Sequence, residues 1–319
     1  MEWRTGITDL FGIRYPIIEG ALANWGNADI AVPVSEAGGL GMITARALRT
    51  PERLRKEIQK VKSMTNKPFA VNLSPAMDPA LDAMREVAIE ERAPVIETAG
   101  YRGFDHGVRV KEAGLKWIHK VDTVRHALAA ERDGADAVCV MGLEGAGLKN
   151  PTMLTTLVTI PMAVRHVKIP VIAAGGIGDA RTFLAALALG AEAVLLGTVF
   201  CAVKECPLSE KHKQALVEAD PYDPKWRDPI LATPKPKDME KLMQASGSKA
   251  IMQAAGYAER TRIPRSAGIT TASLAIGFID RVVTVKELID SIIGEAEEIL
   301  TSSGIGGCKL SSNQLGKMR

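Results

Sequence analysis

Short runs of β-branched and apolar residues alternate along this chain with longer stretches in which apolar residues recur every three or four positions. The short runs predict strands over 15–19, 39–43, 68–73, 94–98, 116–121, 135–141, 169–174 and 193–197. The longer stretches predict helices over 27–37, 51–64, 78–91, 104–113, 123–133, 151–166 and 179–189. Thr50-Pro51 and Asp78-Pro79 each place a capping side chain before a proline in a first helical turn. The strands show little polar alternation, as expected where both faces of a parallel sheet are covered. Eight βα units in about 200 residues fit a (β/α)8 TIM barrel better than an open doubly wound sheet, which usually stops at five or six strands.

The pattern changes after Cys206. Pro207, Pro221, Pro224, Pro229, Pro234 and Pro236 fall in a charged stretch, followed by a helical run over 238–260. A helical insertion over 207–262 is expected, either a surface excursion or a lid over the strand ends. Over 285–302 apolar residues return at helical spacing and predict a last helix packed on the barrel. The barrel domain is therefore read as 1–206 and 263–304, and the Gly/Ser-rich basic tail, 305–319, as frayed.

Composition narrows the function. Hydrophobic residues make up 46% and charged residues 24%, with 40 Lys and Arg against 37 Asp and Glu, so the net charge is +3. Charges of both signs are dispersed and aromatics are only 4%, which argues against nucleic acid as a partner. The opening MEWRTGITDLFG has no signal-peptide hydrophobic core, and no stretch stays uncharged for the roughly 18 residues of a membrane span. Cys139, Cys201, Cys206 and Cys308 form no CxxC pair, so the reading is a cytoplasmic chain with reduced cysteines and no metal.

Barrel active sites lie at the carboxyl ends of the strands. After the seventh strand comes Ala174-Gly175-Gly176-Ile177-Gly178 with Asp179 as helix cap, and after the eighth Gly197-Thr198. Either is by itself a tight turn; together they let backbone N–H groups converge on a phosphate. The first strand ends in Glu19-Gly20-Ala21-Leu22-Ala23, bare enough for a flat ring to lie against the backbone. Asn72 ends the third strand as a neutral donor and acceptor, or as a partner for a loop carbonyl. Lys120 ends the fifth, as a cation beside developing negative charge or as a side chain reaching solvent. His119 should point to the opposite face of its strand from Lys120. The loop after the sixth strand, Gly142-Leu143-Glu144-Gly145-Ala146-Gly147-Leu148, is glycine-rich enough for close approach.

YPIIEGALA, SEAGGLGMI, PFAVNLSP, KWIHKVDTVRHALAAERDGADAV, GLEGAGLKN, IPVIAAGGIGDARTFLAALALGAEAVLLGT and, after the insertion, SAGITTASLAIGFID and EAEEIL carry a family likeness. The chain resembles the FMN-dependent nitronate monooxygenases, formerly 2-nitropropane dioxygenases, relatives of the FMN-dependent enoyl-acyl-carrier-protein reductases. The resemblance implies FMN with its phosphate at Gly175, Gly176, Gly197 and Thr198. The ring is then expected near Ala21, Leu22, Asn72 and Lys120, with Ala146 and Gly147 in the adjoining loop. That loop resembles a family pattern ending in a histidine that acts as base or proton donor; here the position is Leu148, and Lys120 is left as the candidate catalytic group.

The leading expectation is an FMN oxidoreductase that takes electrons from NAD(P)H or a small electron-rich substrate such as a nitronate and passes them to oxygen or an organic acceptor. Reduction of an enoyl thioester or a quinone is the alternative within that class. A flavin-binding protein without turnover, which Leu148 favours, and a flavin-free phosphate-binding barrel are the other two. The substrate and NADH against NADPH stay open, as does homo-oligomer against monomer.

Overall fold

The computed structural model describes residues 1–74, 80–100, 103–147, 152–233 and 272–302. Its strands are β1 (Ile17–Glu19), β2 (Gly41–Thr44), β3 (Phe69–Leu73), β4 (Val95–Ala99), β5 (Lys116–Val121), β6 (Ala137–Met141), β7 (Val171–Ala174) and β8 (Ala193–Leu196). All pair in parallel in the order β1-β8-β7-β6-β5-β4-β3-β2. A parallel bridge between Ile18 and Leu40 joins the two ends, so the chain forms a TIM barrel. That seam is thin, and a side chain supplements it: the buried Glu19 carboxylate accepts from the Met42 N–H at 2.9 Å, taking the place of a strand carbonyl.

The helices are α1 (Gly6–Phe11), α2 (Ala28–Glu36), α3 (Ala45–Leu48), α4 (Pro51–Met64), α5 (Leu81–Glu90), α6 (Gly103–Glu112), α7 (Val124–Arg132), α8 (Thr156–His166), α9 (Ala180–Ala188), α10 (Thr198–Cys201), α11 (Glu210–Val217), α12 (Pro224–Leu231) and α13 (Val285–Thr301), with a 3-10 turn at Leu274–Phe278. Caps set several starts as the sequence signals. Thr50 Oγ1 accepts from Arg53 N, and Asp179 with Thr182 forms a capping box at α9. Among the described residues no helix is long and apolar enough to cross a membrane.

Strand alternation divides the apolar residues into two cores. Ile18, Met42, Ala70, Val95, Ile118, Ala137, Cys139, Ile172 and Leu195 fill the barrel, while Ile17, Ile43, Val71, Ile96, Trp117, Val138, Ala173 and Val194 face the helices. The amino end is plugged by α1, whose Ile7 and Phe11 join the inner core. This helix was absent from the sequence reading, although Thr5 caps it and Gly12, at φ 68°, ends it.

The helix expected over 151–166 is corrected: it starts at Thr156. Met153 takes a left-handed φ of 54° and Thr155 is extended, so the chain cannot be helical before that point. Of the insertion expected over 207–262, α11 and α12 occupy the described part, to residue 233. Residues 234–262, Asp78, Leu148, the tail 305–319 and Cys308 lie outside the described residues. Cys139, Cys201 and Cys206 are buried free thiols.

Candidate active site

The carboxyl ends of the strands carry the polar residues of the barrel interior. Asn72 and Glu97 are register partners on β3 and β4, and Asn72 Nδ2 donates to Glu97 Oε2. Asn72 Oδ1 accepts from Ser74 Oγ at 2.7 Å. Lys120 shares the inward face of β5 with Ile118 and is half-buried. Burial pushes the Glu97 carboxyl up, and the Lys120 ammonium pulls it back. Glu97 is fully buried, and its Oε1 has no hydrogen-bond partner among the described residues. Opposite this polar half, Met141, Ala174, Leu195 and the adjoining Ala21 are apolar. Leu22 is turned away, into the outer core.

Gly175 and Gly176 have φ of 103° and 69°, values that exclude side-chain residues without strain. A Cβ on Gly175 would lie 3.1 Å from Gly145 N, and one on Gly176 would lie 3.0 Å from Glu144 Cβ. The strand-six loop therefore packs directly on this turn. Glu144 holds it there by accepting from Thr156 N at 2.9 Å and Thr156 Oγ1 at 2.9 Å. Gly145 lies against Met141; Ala146 is half-buried and Gly147 exposed at φ 101°. Gly197 differs, since a Cβ there would meet nothing within 4 Å. Beside it the buried Thr198 Oγ1 accepts from Ser273 N and Ser273 Oγ, both at 2.9 Å, leaving its own O–H to donate.

The structure thus brings Asn72 and Lys120 to one half of the mouth, and Gly175, Gly176, Gly197 and Thr198 to another. His119, one residue from Lys120, lies on the other face of β5 against Trp117, with ring centroids 5.7 Å apart. His126 is on α7 and bonds Asp122 at 3.1 Å. Four residues of the site escaped the sequence reading: Glu97, Glu144, Thr156 and Ser273. Glu97 had a signal, a lone acid at the end of the apolar run PVIETAG. The others act through contacts between segments distant in sequence.

The nitronate monooxygenase profile matches residues 4–295, most of the chain. The chain belongs to the nitronate monooxygenase family. This is an FMN-dependent oxidoreductase family, so the sequence resemblance holds for fold, family and enzyme class. The probable nitronate monooxygenase of Staphylococcus haemolyticus is 31% identical over 268 residues, covering 70% of this chain and 74% of the relative. The (3aS,4S,5R,7aS)-5-hydroxy-7a-methyl-1-oxo-octahydro-1H-indene-4-carboxyl-CoA dehydrogenase of Mycobacterium tuberculosis is 36% identical over 220 residues, 69% of this chain. The match spans 61% of that dehydrogenase's own length. FabK from Thermotoga maritima superposes with a TM-score of 0.78 at 34% identity, over 94% of this chain and 98% of FabK.

The mouth fits the family's cofactor. The open position at Gly197, the glycine-only turn at Gly175 and Gly176, and the hydroxyl of Thr198 are backbone and O–H donors of the chemistry that suits a phosphate. The orphaned Glu97 oxygen lies in the polar half, where a heteroaromatic ring with N–H and carbonyl groups would find partners.

Proposed function

We propose that this chain binds FMN across the mouth of the barrel and oxidises small electron-rich substrates such as nitronates, with oxygen as electron acceptor. The observation that carries this reading is the pairing of a polar half, Asn72, Glu97 and Lys120, with a phosphate cradle at Gly175, Gly176, Gly197 and Thr198 in one mouth. When bound, FMN supplies two-electron redox chemistry, which no side chain of the site offers. Backbone N–H groups of the two glycine turns and the Thr198 O–H would hold its phosphate.

Lys120 presents a fixed positive charge where electron density accumulates on reduction. A preorganised cation in a partly desolvated site stabilises that charge without reorganising. Asn72 can offer its second amide hydrogen, the first being committed to Glu97. Met141, Ala174 and Leu195 form an apolar floor that excludes water from the opposite half.

A second reading, reduction of an enoyl thioester or a quinone with NAD(P)H as the electron donor, draws on the likeness to a carboxyl-CoA dehydrogenase at 36% identity. One experiment separates the two. The chain is reconstituted with FMN and mixed anaerobically with alkyl nitronates, NADH, NADPH and acyl-CoA thioesters while flavin absorbance is followed. Bleaching by nitronates alone supports the first reading, and bleaching by NAD(P)H followed by reoxidation with an enoyl thioester supports the second. No flavin uptake would defeat both.

A further inference from the structure

We propose that Glu97 is a positioning residue, acting through Asn72 and Lys120 to set how both groups face the bound ring. The inference rests on the FMN reading and goes beyond it, since neither the resemblance nor the phosphate cradle assigns this carboxylate any part.

Glu97 lies at the middle of β4, between β3 and β5, and is the only described acid placed between the two polar groups of the mouth. Its backbone register with Asn72 puts the two side chains on the same face. The bond from Asn72 Nδ2 to Glu97 Oε2 and the bond from Ser74 Oγ to Asn72 Oδ1 hold that amide at both ends. Lys120 lies two residues beyond Ile118, the register partner of Glu97 on the next strand, so it shares the inward face and is close enough to counter the burial of the carboxyl. Cys139, the register partner of Lys120, is the other titratable neighbour, and burial keeps its thiol protonated by pushing it up to about 12.

A fully buried carboxyl with one oxygen unbonded is costly, and more so if charged. An apolar residue would fill the same space at no such cost, as Val95 does two residues earlier on the same face. The acid repays that cost only by what it does to its neighbours. With Glu97 ionised, its charge offsets the Lys120 ammonium; with Glu97 protonated, the Lys120 charge faces the ring uncompensated. The electrostatic effect of Lys120 on the ring therefore follows the charge state of Glu97.

The test is a thermodynamic cycle on the flavin midpoint potential of the FMN-loaded protein, using Glu97→Gln, Lys120→Met and the double variant. Glutamine keeps the volume and an acceptor for Asn72 but holds no charge and no titratable proton. The potential, and its dependence on pH between 5 and 9, should change on Glu97→Gln when Lys120 is present, and that change should shrink at least threefold in the Lys120→Met background. An equal change in both backgrounds, or none in either, overturns the proposal and leaves Glu97 a packing residue. If Glu97→Gln does not fold, Glu97→Asp, which keeps the charge at shorter reach, carries the same comparison. Failure of the wild type to take up FMN would instead overturn the functional reading beneath it.

Discussion

His119 Nδ1 is hydrogen-bonded to Thr98 Oγ1 at 2.7 Å, on the helix-facing side of the barrel wall and away from its mouth. Trp117 Nε1 donates to the same Thr98 oxygen at 2.8 Å, so the three side chains form one buried polar knot beneath α6. Burial pushes the imidazole down to about 4 from its ordinary 6.5, with the His126 charge adding to the effect.

That shift makes stability depend on pH with a definite sign. Between 6.5 and about 4 the unfolded chain binds a proton at His119 that the folded chain does not. The contribution is therefore fully present above 6.5 and is lost progressively as pH falls to about 4, by at most about 3 kcal/mol. Urea unfolding at steps from pH 7 to pH 4 should give a falling midpoint whose slope is shallower in His119→Gln. Parallel slopes in the two proteins would remove His119 as the cause.

The eight strands were legible because each is a short apolar run bounded by turn residues, and because the βα cadence repeats. The opposed faces of His119 and Lys120 followed from the two-residue period of a strand alone. What the sequence concealed depends on partners far along the chain. Glu144 reads as one more polar residue in a glycine loop until Thr156, 12 residues on, is seen to bind it. Ser273 gains its place only because the chain returns after α12 to Thr198, 75 residues away. Helix α1 is too short to show a period, and Leu22 enters the outer core through a turn that no periodicity describes.

Gly107 lets α6 lie on Trp117, for a Cβ there would stand 1.9 Å from the indole Cε2. Alanine in a helix interior gains about 1 kcal/mol over glycine. Ordinary contact needs about 3.5 Å, so the helix or the fully buried indole must move, at about 1–3 kcal/mol or more. The clash outweighs the propensity, and Gly107→Ala should lower the thermal midpoint. A raised midpoint would show that α6 shifts freely.

Gly197 is the place to test the phosphate cradle without strain. A substitution at Gly176 would meet Glu144 and a φ of 69°, whereas Gly197 has φ −110° and open space. Gly197→Asp puts a carboxylate beside the Thr198 hydroxyl, where like-charge repulsion in a partly desolvated site should weaken FMN binding at least tenfold. Gly197→Ala should bind within a few-fold of wild type. Full flavin occupancy in the aspartate variant, at an unchanged thermal midpoint, would place the phosphate elsewhere.

Lys120→Met should slow anaerobic flavin reduction by about 10–100-fold while changing FMN affinity far less. The charge it stabilises appears mainly as the ring is reduced, and an interaction that strengthens toward the transition state acts on rate rather than on ground-state binding. Stopped-flow reduction alongside a fluorescence titration of FMN separates the two. A normal rate with weakened affinity would make Lys120 an anchor for the cofactor.

The sequence resemblance sets Leu148 against a histidine of the family's strand-six loop, and on that reading the chain should divide two forms of one substrate. Removing a proton from carbon requires a positioned base with a pKa near the working pH, a contribution of typically 10²–10⁴-fold, and leucine has neither lone pair nor charge. A nitronate has already lost that proton, so its oxidation needs only proximity to an oxidised ring and the fixed charge of Lys120. The described histidines are engaged elsewhere: His119 with Thr98 behind the barrel wall, His106 of α6 with Arg85, His126 of α7 with Asp122, His166 of α8 with the Met162 carbonyl, and His212 of α11 with Ser209. Oxygen uptake should therefore be measurable with an alkyl nitronate and at least a hundredfold slower with the parent nitroalkane. In Leu148→His the nitroalkane rate should rise while the nitronate rate stays within a few-fold. Equal wild-type turnover of both forms would mean that another group of the mouth abstracts the proton, and Lys149 would be the next residue to replace.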